Sequence, residues 1–206
     1  MSRRSARTAL FLTAVPFMLL VFHAPCWARS VGDGFHLAKT MKSRYFTIQS
    51  EEGANLDRLE AAVTVPPVLR AIIRTGIQEV DGKGFPSQAD LTFLAVSEIL
   101  GMRIKSFQSS IKIAKDGDGL ERVAQRLFGR RIRTGGFYVV ALDSLYMDAQ
   151  NASLYIFGHE LAHAVIVKYF VVPPPEKIQE VLAGFVEYEM RKRMKTLGPV
   201  SSPVVR

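Results

Sequence analysis

The spacing of hydrophobic and polar residues changes along the chain between the two-residue alternation of strands and the periodicity of helices. These changes mark the predicted elements. Residues 110–114 alternate with period two, and residues 45–49 are rich in β-branched and aromatic side chains. The strongly apolar run at residues 137–142 follows a glycine pair, and residues 144–147 form a further short apolar stretch. These four segments are typical of β-strands.

Helical periodicity fills much of the remaining sequence. Residues 56–75 carry helical spacing that is interrupted by two prolines, and residues 120–128 end at a glycine. Residues 151–170 are hydrophobic on nearly all sides, which predicts a buried helix, and three prolines separate them from a last helix at residues 176–195. Because strands and helices do not alternate regularly, the pattern favours an α+β fold over a doubly wound parallel sheet.

The N-terminus has the three-part layout of a secretory signal peptide. Three arginines within the first seven residues precede an apolar run at residues 9–22, and Cys26 and Ala28 occupy the −3 and −1 positions of a cleavage site. The run is shorter than the roughly 20 residues that cross a bilayer, although an uncleaved anchor is the alternative. We therefore expect a signal peptide at 1–28, a single exported domain at 29–206 that is periplasmic or secreted, and no stable membrane span after cleavage.

The amino-acid composition limits the class of protein, the available types of metal ligand and the kinds of partner. The chain has 206 residues, of which 48% are hydrophobic and 22% charged, as in a globular protein with one core-forming domain. Its only cysteine and its only tryptophan lie within the predicted signal peptide, so no thiolate ligand remains. The formal net charge of the whole chain is +8, and three of the positive charges are the arginines of the predicted signal peptide. The remaining mild excess of positive charge does not indicate a nucleic-acid partner.

The chemistry-bearing motif is His159-Glu160-Leu161-Ala162-His163. Residues at positions i and i+4 of a helix lie on the same face, so both imidazoles can reach one ion. Glu160 lies about 100° around the helix axis, where its carboxylate can contact a metal-bound water without ligating the metal. A chance match on a core helix is the alternative, but burying these polar groups without a partner costs several kcal/mol. A metal supplies that partner.

A catalytic zinc needs a third protein ligand beside two histidines. No cysteine remains in the mature chain, no aspartate follows Asp148, and Tyr169 occupies the position at which a metzincin has its third histidine. The remaining candidates after His163 are four glutamates: Glu176, Glu180, Glu187 and Glu189.

Helical spacing favours Glu180 among them. Glu180, Ala183, Gly184 and Glu187 share one face of the last predicted helix, and the two small residues would let this helix approach the first one closely. Glu176 is a first-turn residue that the helix dipole favours. We predict that one zinc per chain is held by the two histidines and Glu180, with Glu187 as the second choice.

These residues together resemble a known family. The HExxH motif, a proline-containing link and the stretch from Ile178 to Tyr188 look like the gluzincin metallopeptidases, and most of all the peptidase-MA-like members, whose second helix reads roughly W-L-x-E-G-x-A-x-Y. The sequence departs from this pattern at Ile178, near the expected Trp-Leu, and at Val181, which replaces the glycine after the ligand glutamate. The resemblance covers about residues 136–190.

The resemblance implies a zincin-like fold, with a small mixed β-sheet packed on the HExxH helix and a following ligand helix. It implies that His159, His163 and Glu180 are the metal ligands and that Glu160 is the catalytic base. The expected activity is that of an exported zinc metallopeptidase acting on a peptide or protein substrate.

Two further expectations concern substrate and transition state. By resemblance, the strand Ser144-Leu145-Tyr146-Met147 would be the edge that pairs with an extended peptide. A hydroxyl from Tyr188 or Tyr138 could stabilise the oxyanion, although buried tyrosines more often belong to the core.

The alternative function is a zincin-fold metal-binding or protein-interaction domain with little or no proteolysis. Few residues follow the last predicted helix, so substrate specificity would have to come from upstream loops or from a protein partner that completes the cleft. A third possibility is that the tail from residue 196 to 206 inhibits the site.

Overall fold

A computed structural model describes residues 32–80 and 82–196. The predicted signal peptide and the tail beyond residue 196 lie outside these residues. Two short 3-10 turns, Ile77–Glu79 and Val140–Leu142, accompany the main elements. Those elements are, in chain order, β1 Lys39–Lys42, β2 Phe46–Ser50, α1 Leu56–Val63, α2 Pro67–Arg70, α3 Phe85–Leu100, β3 Ser109–Ala114, α4 Gly117–Phe128, β4 Gly136–Val139, β5 Ser144–Asp148, α5 Leu154–Tyr169 and α6 Glu176–Thr196.

The strands form one five-stranded mixed sheet in the order β1-β2-β3-β5-β4. The pairs β2–β3 and β3–β5 are parallel, whereas β1–β2 and β5–β4 are antiparallel. Parallel neighbours require a crossover connection, which α1 to α3 supply for the first pair and α4 for the second. The predicted α+β class is therefore confirmed.

The prediction that Ser144–Met147 forms a sheet edge is wrong. This segment is β5, which lies between β3 and β4, and every residue from Ser144 to Asp148 is buried. The physical reason is the turn at Val140–Leu142, which folds β4 back against β5 as a hairpin. The edge of the sheet at this end is therefore β4.

Two elements were not predicted from the pattern. The strand β1 is a mostly exposed edge strand made largely of polar residues, so it carries no hydrophobic alternation. The helix α3 is buried nearly all round, and several of its polar side chains form hydrogen bonds inside the protein. Asp90 accepts hydrogen bonds from the Ser43 hydroxyl at 2.6 Å and from the backbone N–H of Arg44 at 3.1 Å. The helix thereby holds the turn that leads into β2.

Ahead of β1, the chain is anchored to the sheet by Asp33. Its carboxylate pairs with the Lys112 ammonium on β3 and accepts a hydrogen bond from the Tyr146 hydroxyl on β5 at 2.6 Å. Burial alone would raise the pKa of Asp33, but the hydrogen bonds from Lys112 and Tyr146 outweigh it and hold the pKa below its ordinary value. Both charged side chains are less than one-fifth exposed.

Replacing Asp33 by alanine is expected to lower the free energy of unfolding by about 2–4 kcal/mol, because the change leaves the Lys112 charge buried without its partner. A carboxyl whose folded pKa is depressed contributes stability that is present above its unfolded value, about 3.9, and is lost as the pH falls through the folded value. The stability of Asp33→Asn should therefore depend less on pH in the acidic range than that of the wild type. Urea unfolding between neutral pH and about pH 3 measures both effects. The exposed Asp57→Asn is the control for Asp33→Asn. Equal losses of unfolding free energy in these two variants would contradict the anchoring role of Asp33.

Candidate metal centre

Helix α5 carries both histidines. It begins at Ser153, whose side chain accepts a hydrogen bond from the Ile156 N–H at 3.3 Å and so caps the helix. Most of its remaining residues are buried in the core, as the all-round hydrophobicity predicts. The side chains of His159 and His163 are 23% and 13% exposed, and they line a cleft at the surface.

Helix α6 approaches α5 closely at Gly158, one residue before the first histidine. A Cβ at this position would lie 2.7 Å from the Met190 sulfur, and Ala183 is fully buried in the same helix pair. The expected role of Ala183 in close packing therefore agrees with the structure, but that of Gly184 does not, since nothing lies within 4 Å of a Cβ built there. Gly158, on the other helix, supplies the space.

This packing brings three predicted ligands together. The two histidine Nε2 atoms lie 3.3 Å apart, and each lies 3.4 Å from a carboxylate oxygen of Glu180. Zinc bound at about 2.0–2.2 Å in a tetrahedron holds its ligand atoms roughly 3.3–3.6 Å apart. Among the residues described, His159, His163 and Glu180 are the one group of three or more ligand-type side chains close enough to hold a metal ion.

Glu187, the second-choice ligand, lies on the side of His159 that faces away from His163. Its carboxylate is 3.8 Å from Nδ1 of His159, the ring nitrogen that faces away from His163. It also accepts hydrogen bonds from the Arg191 guanidinium at 2.7 and 2.9 Å, and that guanidinium lies over the Tyr155 ring. This distance is longer than a hydrogen bond, but a carboxylate that accepts from the second nitrogen of a ligating imidazole would orient the ring and select its tautomer.

Glu160 lines the same cleft as Glu180 and contacts the edge strand β4. One of its oxygens accepts a hydrogen bond from the backbone N–H of Tyr138 on β4 at 3.0 Å. Burial raises the pKa of Glu160 to about 8, the nearby Glu180 carboxylate adds to this rise, and the Tyr138 N–H opposes it. Burial also lowers the pKa of His163, which favours the neutral imidazole that a metal requires.

The cleft measures about 570 Å³ and has two walls. One wall is the edge strand β4 with the turn residue Val140, and the other is the first turns of α6, including Glu176 and Gln179. Gly136 lets β4 pass close to its neighbour, because a Cβ there would meet the Met147 sulfur at 2.8 Å. The backbone N–H of Tyr138 was not predicted, because a backbone group leaves no residue-type signal in the sequence.

Of the two predicted tyrosines, Tyr138 lines the cleft and Tyr188 does not. Tyr188 is 58% exposed and lines a separate surface depression near the end of α6. The Tyr138 hydroxyl donates instead to Asp143 at 3.0 Å, and burial and this contact raise the pKa of the phenol. Asp143 also accepts hydrogen bonds from Lys168 at 2.7 Å and from Ser109 at 2.9 Å, and its φ of +46° places it in the left-handed region. This network holds the hairpin that carries the edge strand.

In the part of the chain that the structure describes, no helix is both long enough and apolar enough to cross a membrane. No protein-family model, no curated protein and no solved structure matches the chain. The function of the protein is therefore inferred from the geometry of the cleft.

Proposed function

We propose that the protein is a zinc-dependent metallopeptidase of zincin-like fold, in which His159, His163 and Glu180 hold the metal. The observation that carries the proposal is the grouping of the ligand atoms: the two histidine Nε2 atoms lie 3.3 Å apart, and each lies 3.4 Å from one of the two Glu180 oxygens, distances on the scale of the edges of a tetrahedral zinc site. Two histidines and a glutamate form a donor set that catalytic zinc uses, with a fourth position left for water.

When bound there, zinc would supply a Lewis acid that lowers the pKa of water toward about 7 and polarises a carbonyl. Glu160 lies within the same cleft, and its Oε2 is held by the Tyr138 N–H. We assign to the Glu160 carboxylate the removal of a proton from the attacking water and its delivery to the leaving amine.

The edge strand β4 is the proposed substrate platform, in place of β5. In an extended strand the N–H and C=O of one residue point to the same side, so the Tyr138 carbonyl faces the cleft together with its N–H. An extended peptide that lies along this edge can donate a backbone hydrogen bond to that carbonyl, as in β-augmentation. The substrate class is therefore a peptide or protein segment in extended conformation.

Zinc-loaded protein is expected to cleave members of a broad peptide library, with new termini detected by mass spectrometry. A zinc chelator should abolish cleavage, and added zinc should restore it, because the chemistry depends on the metal. Metal analysis should give about one zinc per chain. Persistent cleavage in a metal-free sample would contradict the proposal.

The second candidate function is a metal-binding or protein-interaction domain of the same fold with little turnover. It is favoured by one observation: of the two hydroxyls expected to stabilise the oxyanion, that of Tyr138 is engaged with Asp143, and Tyr188 does not line the cleft. One zinc per chain without cleavage of any library member would support this alternative. We also propose export to the periplasm or cell exterior, on the strength of the signal-like layout of residues 1–28.

A further inference from the structure

A row of side-chain contacts joins the two helices of the metal centre. On α5, three residues spaced four apart share one face: Tyr155, His159 and His163. They meet three residues of α6 in the reverse chain order: Arg191, Glu187 and Glu180. The contact between Tyr155 and Arg191 therefore continues the row of the ligands by one helical turn.

Arg191 holds one of the two carboxylate oxygens of Glu187. Its Nε and Nη2 atoms donate hydrogen bonds to Oε1 of Glu187 at 2.9 and 2.7 Å. The other oxygen, Oε2, is the one that lies 3.8 Å from Nδ1 of His159. Rotation of the carboxylate away from the imidazole would break both hydrogen bonds to the guanidinium. The arginine therefore keeps Oε2 of Glu187 beside the ring nitrogen.

The Tyr155 ring holds the guanidinium in turn. Cζ of Arg191 lies 4.0 Å from the centroid of that ring, the distance of a stacked cation–π contact. Tyr155 is partly buried and packs against the hydrophobic core. Arg191 thus connects the helices, since its N–H groups bind a carboxylate of α6 while its flat face lies on a ring of α5. A lysine could not make both contacts, because it lacks the planar fork of donors.

We propose that Arg191 is a positioning residue of the metal site, which acts through Glu187 on the imidazole of His159. An approach of less than about 1 Å brings Oε2 of Glu187 within hydrogen-bond range of Nδ1. A proton on Nδ1 leaves the lone pair on Nε2, the atom that faces His163 at 3.3 Å. Arg191 thereby selects the tautomer that can bind a metal. The inference rests on the proposed metal site and not on peptide cleavage.

NMR of the histidine ring nitrogens in the full-length, metal-free protein tests the tautomer directly. At about pH 8, above the ordinary pKa of histidine, we expect the ring proton of His159 on Nδ1. Arg191→Ala and Glu187→Ala should both shift the population toward the Nε2–H form. Lys195→Ala removes another exposed cation of α6 and is the matched control, which should keep the wild-type tautomer. A wild-type ring that is protonated on Nε2 overturns the proposal.

Zinc affinity separates positioning from simple electrostatics, because the two predict opposite signs. Removal of a nearby cation strengthens the binding of Zn²⁺ by Coulomb's law alone. Removal of a positioning residue weakens it. We expect Arg191→Ala to lose affinity by about 3–10-fold, less than the 10–100-fold of a group that touches the ligand itself. Arg191→Lys keeps the charge and should show nearly the same loss. Zinc binding by Arg191→Ala that is unchanged or tighter overturns the proposal.

Two further comparisons trace the route of the effect. Tyr155→Phe keeps the ring face and should retain the wild-type affinity for zinc, whereas Tyr155→Leu should lose about as much as Arg191→Ala. In a chain that already carries Glu187→Ala, the addition of Arg191→Ala should cause no further loss, because the route through the carboxylate is gone. Additive losses would overturn the proposal, and circular dichroism checks that each variant is folded. A chain that binds no zinc would contradict the proposed function, while the tautomer measurement would still decide the role of Arg191.

Discussion

Replacing Glu160 by glutamine is expected to lower the rate of peptide hydrolysis by about 10³-fold or more while the protein retains one zinc per chain. Glutamine has nearly the same shape as glutamate, and its carbonyl oxygen can still accept the hydrogen bond from the Tyr138 N–H. It cannot take a proton from water at neutral pH. The change therefore separates proton transfer from the structure of the cleft.

Two measurements make this experiment decisive. Metal analysis of the variant checks that zinc remains, and kinetic analysis of the best library peptide gives kcat and KM separately. The matched control is Glu176→Gln, which neutralises another carboxylate that lines the cleft and should retain most of the activity. Full turnover by Glu160→Gln would contradict the assigned mechanism, whereas loss of zinc would show that Glu160 contributes to metal binding.

Replacing Glu180 by alanine is expected to reduce zinc affinity by more than the 10–100-fold typical of a residue behind the ligands. The reason is geometric, since the two oxygens of Glu180 lie 3.4 Å from the two histidine nitrogens and complete the ligand triangle. Competition with a coloured chelator measures the affinity of each variant. Peptide-cleavage assays on the same variants should show that activity falls together with zinc content.

Glu187→Ala supplies the comparison for Glu180. The Glu187 carboxylate lies near Nδ1 of His159 and not near Nε2, the nitrogen proposed to bind zinc. Its removal should therefore weaken zinc binding by about 10–100-fold. Glu176→Ala, in the same cleft, should change the affinity little. If Glu187→Ala loses zinc and Glu180→Ala keeps it, the third ligand has been assigned wrongly.

The grouping of the three proposed ligands was predictable because their placement depends on local rules. The two histidines lie four residues apart on one helix, and Glu180 lies on the next helix, one short link away. Helical period and a count of the remaining ligand-type residues were therefore enough to select all three residues, and the structure brings them together.

The sheet edge was not predictable in the same way. Strand order depends on which segments pair across long stretches of chain, and the pattern of residues 144–147 is equally compatible with an edge or a central position. The roles of backbone groups were also hidden, since the N–H of Tyr138 carries no signal in the sequence. Gly158 was overlooked because a lone glycine in a helix shows its packing role only when the neighbouring helix is in place.

The free edge of β4 has a consequence for the solubility of the protein. An unpaired strand edge is a template on which another chain can add a strand and begin aggregation. Here the Thr134 hydroxyl donates to the Gly136 carbonyl at 2.9 Å, and the Glu160 carboxylate accepts from the Tyr138 N–H. Two outward-facing backbone groups are thus satisfied from within the chain. The Glu160 carboxylate, to which we assign proton transfer, therefore also hinders the pairing of another chain with this edge. Any replacement of Glu160 that cannot accept a hydrogen bond would remove this protection.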